Sequence, residues 1–217
     1  MKKITIVTGH YGSGKTNFSV NLAMKLAEQK KSVTIVDFDI VNPYFRTADF
    51  KQLFEKNNIT LQAPMYANTS LDIPAISFDL ERLAQNDGYL IIDVGGDDAG
   101  AIALGRYAES LLQYKEQIDM LYVVNRYRYL TESAEEALEL MYEIESAARM
   151  RHTGIVNNSN LGKETTTDLI EKALPYAEKI AESANIPLVY TTYRNDLPIS
   201  LKQGFPVDIY VKPIWEQ

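Results

Sequence analysis

The chain has 217 residues, 46% hydrophobic and 24% charged, which suits a single folded domain over 1–217 and excludes a disordered polymer. A net charge of −7 with no basic block argues against nucleic acid as a partner, and the lack of cysteine excludes disulfides, thiolate zinc sites and cysteine-held iron–sulfur clusters. No apolar run approaches the roughly 20 residues of a membrane span, and the stretch after Met1-Lys2-Lys3 is too short for a signal sequence, so a cytoplasmic protein without a membrane anchor is expected.

Short β-branched runs alternate with helical segments along the chain. A strand is predicted over 3–8, then a helix over 15–29 whose apolar face carries Phe18, Leu22 and Leu26. A strand over 32–37, a short helix over 76–84 and a strand over 89–93 follow. Next come a strand over 120–125 and a helix over 131–149, with Thr131 as its cap and Glu135 and Glu136 in the first turn. A strand at 154–157, a helix over 166–184 that Pro175 should kink or split, a strand at 188–192 and a turn at 200–203 complete the series. Several strands are apolar almost throughout, as strands covered on both faces are. The alternation predicts an α/β fold: a doubly wound, mostly parallel sheet with helices on both faces and its ligand at the C-terminal strand edge.

Between the first strand and first helix, Gly9-His10-Tyr11-Gly12-Ser13-Gly14-Lys15-Thr16 matches G-x-x-x-x-G-K-[ST] in full. Glycines let successive N–H groups turn toward anionic oxygens, and the helix start adds its dipole. Lys15 places a point charge at the β- and γ-phosphates, and the Thr16 hydroxyl ligates Mg²⁺. Gly9, Gly12, Ser13, Gly14, Lys15, Thr16 and Asn17 are therefore the expected phosphate-binding residues. The second strand ends in Asp37-Phe38-Asp39, two acids at i and i+2 that share a face, and the third ends in Asp93 followed by Gly95-Gly96. Asp93 has the Walker-B position of a Mg²⁺-associated acid, and a backbone N–H at Gly96 is placed to meet the γ-phosphate. Asp97 and Asp98 serve equally well as helix caps or as functional groups.

Together these segments, with Asn42-Pro43 after the second strand, resemble the ParA/MinD/CobQ/CobB group of P-loop ATPases. Asn157-Asn158-Ser159 resembles the family's adenine-recognising strand end, which implies Asn158 as the base contact and Asn157 as second choice. The segments from Ile186-Pro187 to Arg194-Asn195, and from Leu201 to Val207, resemble its closing strand and G-x-P segment, which brings Arg194 to the nucleotide. The resemblance implies a Mg²⁺-dependent ATPase and nucleotide-dependent homodimer that acts as a switch on a protein partner. Asp37, with Thr16 and Asp93, falls to the metal, and Lys15 and Asp39 fall to catalysis, Asp39 positioning water.

The sequence departs from the resemblance at His10, where the family's signature lysine would stand. Arg46, Arg126 and Arg128 are the candidates to replace its charge. The tail, with Pro213 and Trp215, does not resemble an amphipathic membrane helix. Three other functions are compatible with the same loop. One is a metabolic enzyme of the CobB, dethiobiotin synthetase or small-molecule kinase type, with Phe45, Arg46, Tyr66 and Arg106 as possible pocket linings. The second is a GTP-driven metallochaperone, disfavoured by the missing N-K-x-D guanine motif and by two histidines without cysteine. The third is a scaffold that binds ATP without hydrolysing it.

Overall fold

The computed structural model describes residues 1–39, 47–63, 87–96 and 98–211. The predicted helix at 76–84 lies outside them, as do Asn42, Pro43, Phe45, Arg46, Tyr66, Asp97, Pro213 and Trp215.

Eight strands form one sheet: β1 (Ile4–Thr8), β2 (Val33–Phe38), β3 (Ile59–Gln62), β4 (Tyr89–Val94), β5 (Ile118–Val124), β6 (Gly154–Asn157), β7 (Leu188–Arg194) and β8 (Gly204–Val207). Their order is β3-β2-β4-β1-β5-β6-β7-β8, and every pairing is parallel. The chain runs from β1 out to β2 and β3, returns to β4 between β2 and β1, and then crosses to the other side of β1 to wind outward from β5 to β8. β1 therefore sits at the reversal of winding, where an open parallel sheet parts its loops to make a ligand crevice.

The described helices are α1 (Lys15–Glu28), α2 (Lys51–Lys56), α3 (Asp98–Gly105), α4 (Ala108–Leu112), α5 (Ala134–Ala148) and α6 (Thr167–Ala184). Strand alternation assigns them to two faces. Val7, Ile35, Ile91, Leu121 and Val123 point to the side where α1 inserts Phe18, Leu22 and Leu26 and α2 inserts Phe54. Ile4, Ile6, Ile92 and Met120 point to the other, under Ala103, Leu104 and Leu111 of α3 and α4. Tyr122, Val124 and Ile155 continue that face beneath Met141 of α5 and Ile180 of α6. Burying strands on both sides is what makes them read as continuous apolar runs.

Two helix predictions need correction. The cap of α5 is Ser133, not Thr131: its hydroxyl accepts from the Glu136 N–H while the Glu136 carboxylate accepts from the Ser133 N–H, a reciprocal capping box. Thr131 instead closes the preceding loop, donating from its hydroxyl to the Asn125 carbonyl at 2.8 Å. Pro175 does not split α6, which runs as one helix from Thr167 to Ala184. In the two turns before the proline, the Leu169 and Lys172 carbonyls accept outside donors, the Tyr127 hydroxyl at 2.7 Å and the Arg126 guanidinium at 2.9 Å. The carbonyl that Pro175 leaves without its helical donor is that of Glu171, four residues earlier.

Candidate functional site

The six residues between the end of β1 and the start of α1 form the centre of the site. Gly9, Gly12 and Gly14 have φ of 146°, 77° and 90°, a conformation that side-chain-bearing residues resist. The turn is closed by the Ser13 N–H on the His10 carbonyl at 3.1 Å. Gly14 is the cap residue of α1, no side chain caps it, and the first turn holds no acid. The leading N–H groups of α1 thus face outward with the positive end of the helix dipole behind them, an arrangement that attracts an anion. Lys15 is only 7% exposed. Its ammonium donates to the His10 carbonyl at 3.2 Å, and the Ser13 hydroxyl is buried without a hydrogen-bond partner. His10 supplies no charge here: burial, and then the Lys15 ammonium, hold its pKa below the ordinary imidazole value.

The acids converge because the sheet puts their strand tips level. Val7 is in register with Asp93, and Asp93 with Asp37 across β4 and β2. Asp93 is buried and accepts from the Ser19 hydroxyl at 3.0 Å and the Thr47 hydroxyl at 2.5 Å. Burial pushes its pKa up against the opposing pull of Thr47, Lys15, Thr16 and Ser19. Asp37, also buried, accepts from the Asp39 N–H at 3.1 Å and the Ala48 N–H at 3.0 Å. Asp39 is half-buried, with its carboxylate against Gly95: a Cβ there would stand 2.9 Å from Oδ1. Gly96 lies against the phosphate loop so closely that a Cβ would stand 2.5 Å from the Lys15 ammonium and 2.9 Å from the Tyr11 N and Cα. The Gly96 main chain therefore packs directly on the Tyr11 main chain, with no room for a side chain between them.

The Thr16 hydroxyl and the Lys15 ammonium both favour the charged form of the Asp93 carboxyl, so a hydroxyl and a carboxylate of hard oxygen character lie near one another at this end of the sheet. This donor pair suits Mg²⁺ completed by phosphate and water oxygens. Among the described residues there is no cluster of three metal-binding side chains, and a phosphate-bridged Mg²⁺ needs none.

On the far side of the loop, the two asparagines differ. The Asn158 amide is committed within the protein: Nδ2 donates to the Ser13 carbonyl at 2.7 Å and Oδ1 accepts from the Thr192 hydroxyl. A Cβ on Gly14 would collide with that Nδ2. Asn157, by contrast, is buried with Nδ2 unpartnered. Arg194 sits at the same sheet edge, but its guanidinium grips Asp196 through both Nε (2.8 Å) and Nη2 (2.7 Å) and reaches the Lys163 carbonyl at 2.7 Å. The Asn17 side chain ties down the segment after β8, donating to the Asp208 carbonyl and accepting from the Tyr210 N–H. What Asn17 offers a phosphate is its main-chain N–H at the helix start.

One polar chain escaped sequence reasoning. Thr8, the residue before the loop, meets His152 Nε2 at 2.7 Å; His152 Nδ1 meets Glu145 at 3.1 Å; and Glu145 pairs with Arg151 at 2.7 Å. Thr8, His152 and Glu145 are all buried, and they join the end of β1 to α5. One of only two histidines in the chain was the sole sequence signal, and 144 residues separate it from Thr8.

The model of the CobQ/CobB/MinD/ParA nucleotide-binding domain matches residues 4–185, a span that includes the phosphate loop, both acidic strand tips and the Asn157-Asn158 edge. The chain belongs to that family. No curated protein matches it in sequence. Among solved structures, it is similar to FtsY from Mycoplasma mycoides, with 21% identity and a TM-score of 0.60 over 88% of this chain and 60% of that one. It is similar also to the cell division protein FtsY of Thermotoga maritima, at 21% identity and a TM-score of 0.58 over 90% of this chain and 63% of that one. The signal recognition particle 54 kDa protein of Aeropyrum pernix K1, in complex with GDP, aligns at 16% identity and a TM-score of 0.56 over 88% of this chain and 41% of that one. The family member thus spans less than two thirds of the length of these structures, and at such identities the likeness is one of fold: a parallel α/β sheet of the P-loop type. No helix among the described residues is long and apolar enough to cross a membrane.

Proposed function

We propose that the chain is a Mg²⁺-dependent ATPase that works as a nucleotide-controlled switch in the cytoplasm, through a nucleotide-bridged homodimer and a protein partner. The observation that carries the reading is the packing of Lys15, Gly96 and the Tyr11 backbone into one contact, level with the buried Asp93 and Asp37. A loop of main-chain amides, one ammonium and a pair of acids is a triphosphate-and-magnesium arrangement. The absence of cysteine supports a reducing compartment.

In this reading the N–H groups of residues 12–17 cradle the phosphate oxygens, and Lys15 neutralises the β- and γ-phosphates. Thr16, Asp93 and Asp37 would hold Mg²⁺, which supplies charge neutralisation across the phosphates. Asp39, free of the deep burial of its two neighbours, orients the attacking water. Gly96 carries the switch: it packs against the loop, so loss of the terminal phosphate releases the chain that leads into α3. Asn158 shapes the base side by holding the Ser13 carbonyl, and Asn157 brings the unused amide donor that suits adenine recognition. Arg194 frames the pocket by fixing the turn at Lys163. Adenine is favoured over guanine because the sequence lacks an N-K-x-D segment, although one structurally similar protein is seen with GDP.

The test is phosphate release with Mg²⁺ and ATP, run with GTP as competitor. Turnover that requires Asp39 and resists excess GTP is expected. Equal inhibition by GTP and unlabelled ATP would reject the base assignment, and turnover unchanged in Asp39→Ala would reject the assigned chemistry.

A further inference from the structure

Three arginines were candidates to supply a second charge at the phosphate loop, and the structure treats the two described ones differently. Arg126 is spent: its guanidinium donates to the Lys172 carbonyl at 2.9 Å and lies over the Tyr176 ring at 5.8 Å. Arg128 lies against the loop itself. Its Cδ and Nε are each 3.8 Å from the point a Cβ on Gly12 would occupy, and among the described residues its guanidinium has no hydrogen bond or ion pair.

The segment that presents Arg128 is rigidly built. It follows β5, the strand that pairs with β1 at Thr8–Tyr122, so it begins beside the phosphate loop. The Arg128 N–H donates to the Asn125 carbonyl at 3.1 Å, and the Arg128 carbonyl accepts from the Thr131 N–H at 3.1 Å and the Thr131 hydroxyl at 3.2 Å. The buried Asn125 side chain accepts from the Tyr127 N–H, and Ser159 accepts from the Arg126 N–H. Leu130 takes φ of 65°, an uncommon state for a branched side chain that the surrounding bonds must enforce. An exposed arginine whose main chain is fixed on both sides, and whose head is left for something absent from the chain, is arranged for a ligand. Inside the loop Lys15 is the single cation, His10 being neutral.

We infer that Arg128 is a catalytic residue acting in cis, its guanidinium meeting the terminal phosphate of the nucleotide held by its own chain. This rests on the ATPase reading above. In the step it assists, a water oxygen bonds to the γ-phosphorus as the bond from that phosphorus to the β–γ bridging oxygen breaks. The bonding pair leaves with ADP, and the proton released from water ends on inorganic phosphate or solvent. Arg128 gives and takes no proton; it stabilises charge that grows on the phosphoryl oxygens and the bridging oxygen.

Phosphate release by wild type, Arg128→Ala and Arg128→Lys, with calorimetry of ADP and Mg²⁺ on each, tests this. Because the side chain is exposed, the fold should survive, and thermal midpoints check that it does. Arg128→Ala should lower kcat by about 10- to 100-fold, the scale of one charge-assisted hydrogen bond made in the transition state, with ADP affinity within about threefold of wild type. Arg128→Lys should recover only part of the loss. An equimolar mixture of Arg128→Ala with Lys15→Ala should regain no activity, because each chain must use its own arginine. Wild-type turnover in Arg128→Ala would overturn the inference alone, and recovery in the mixture would overturn the cis assignment. A wild-type chain that binds no nucleotide would overturn the ATPase reading and this inference with it.

Discussion

Replacing Gly96 with alanine adds one methyl group where the phosphate loop and the β4–α3 turn touch. The new Cβ would stand 2.5 Å from the Lys15 ammonium and 2.9 Å from the Tyr11 N and Cα. Ordinary contact begins near about 3.5 Å, so the ammonium must retreat by about 1 Å and the Tyr11 backbone by roughly half that. The ammonium sits on a flexible stem, but Tyr11 is main chain in a loop pinned by Ser13 to His10. Overpacking of this kind costs about 1–3 kcal/mol, or roughly 2–12 °C in the unfolding midpoint of a chain this size. Displacing a phosphate-binding charge by about 1 Å should also weaken ATP turnover by up to about 100-fold. Differential scanning fluorimetry and phosphate release measure the two effects. Gly162→Ala is the comparison: Gly162 has φ of 61° with open space around it, so it carries a backbone strain that Gly96 lacks and none of the collision. A Gly96→Ala protein with wild-type turnover, or one no more impaired than Gly162→Ala, would refute the packing argument.

Asn158→Ala leaves the Ser13 carbonyl without its donor and should weaken ATP and GTP binding in equal proportion; a changed preference between them would place Asn158 on the base instead. Ser133→Ala removes the capping box of α5 and should cost about 1 kcal/mol, read as a fall of about 2–4 °C in the unfolding midpoint, with nucleotide affinity unchanged. Acid should destabilise the Thr8–His152–Glu145 chain in two stages. His152 is held below its ordinary pKa by burial, against the pull of Glu145, so the unfolded state takes up the proton first and stability falls as pH drops below about 6.5. Burial of Glu145 raises its pKa, but hydrogen bonds from His152 and Arg151 and the charge of His152 outweigh that and bring it to about 2. Its contribution is therefore whole above about 4.5 and disappears as pH falls toward 2. Urea unfolding at pH 7 should show Glu145→Gln weaker than wild type by on the order of 2 kcal/mol, allowing for the solvent that reaches the Arg151 side, with the gap closing in acid; a gap independent of pH would contradict the ion-pair account.

The strands at the centre of the sheet were readable because both of their faces are buried, which makes them apolar throughout. The edge strands β3 and β8 were not. Ile59–Gln62 is four residues with two polar ones, and Gly204–Val207 contains a proline that only an edge tolerates. Helix α3 was missed for a related reason: Asp98–Gly105 is apolar on nearly every side, without a helical stripe. The phosphate loop and the acids at 37, 39 and 93 could be found because their chemistry is compressed into contiguous segments. The contacts that give them context join residues far apart in sequence, such as Asn158 with Ser13, His152 with Thr8 and Arg128 with Gly12. No pattern in one segment announces its partner in another. Asn17 and Arg194 show the converse: each has a side chain suited to a nucleotide, and each spends it on the protein.

Calorimetric titration of a non-hydrolysable ATP analogue with Mg²⁺, into the wild-type chain and into Lys15→Ala, tests the central claim most directly. One nucleotide per chain should bind wild type, and Lys15→Ala should show no measurable heat of binding. Wild type that binds nothing, or a Lys15→Ala chain that binds as tightly as wild type, would contradict the account.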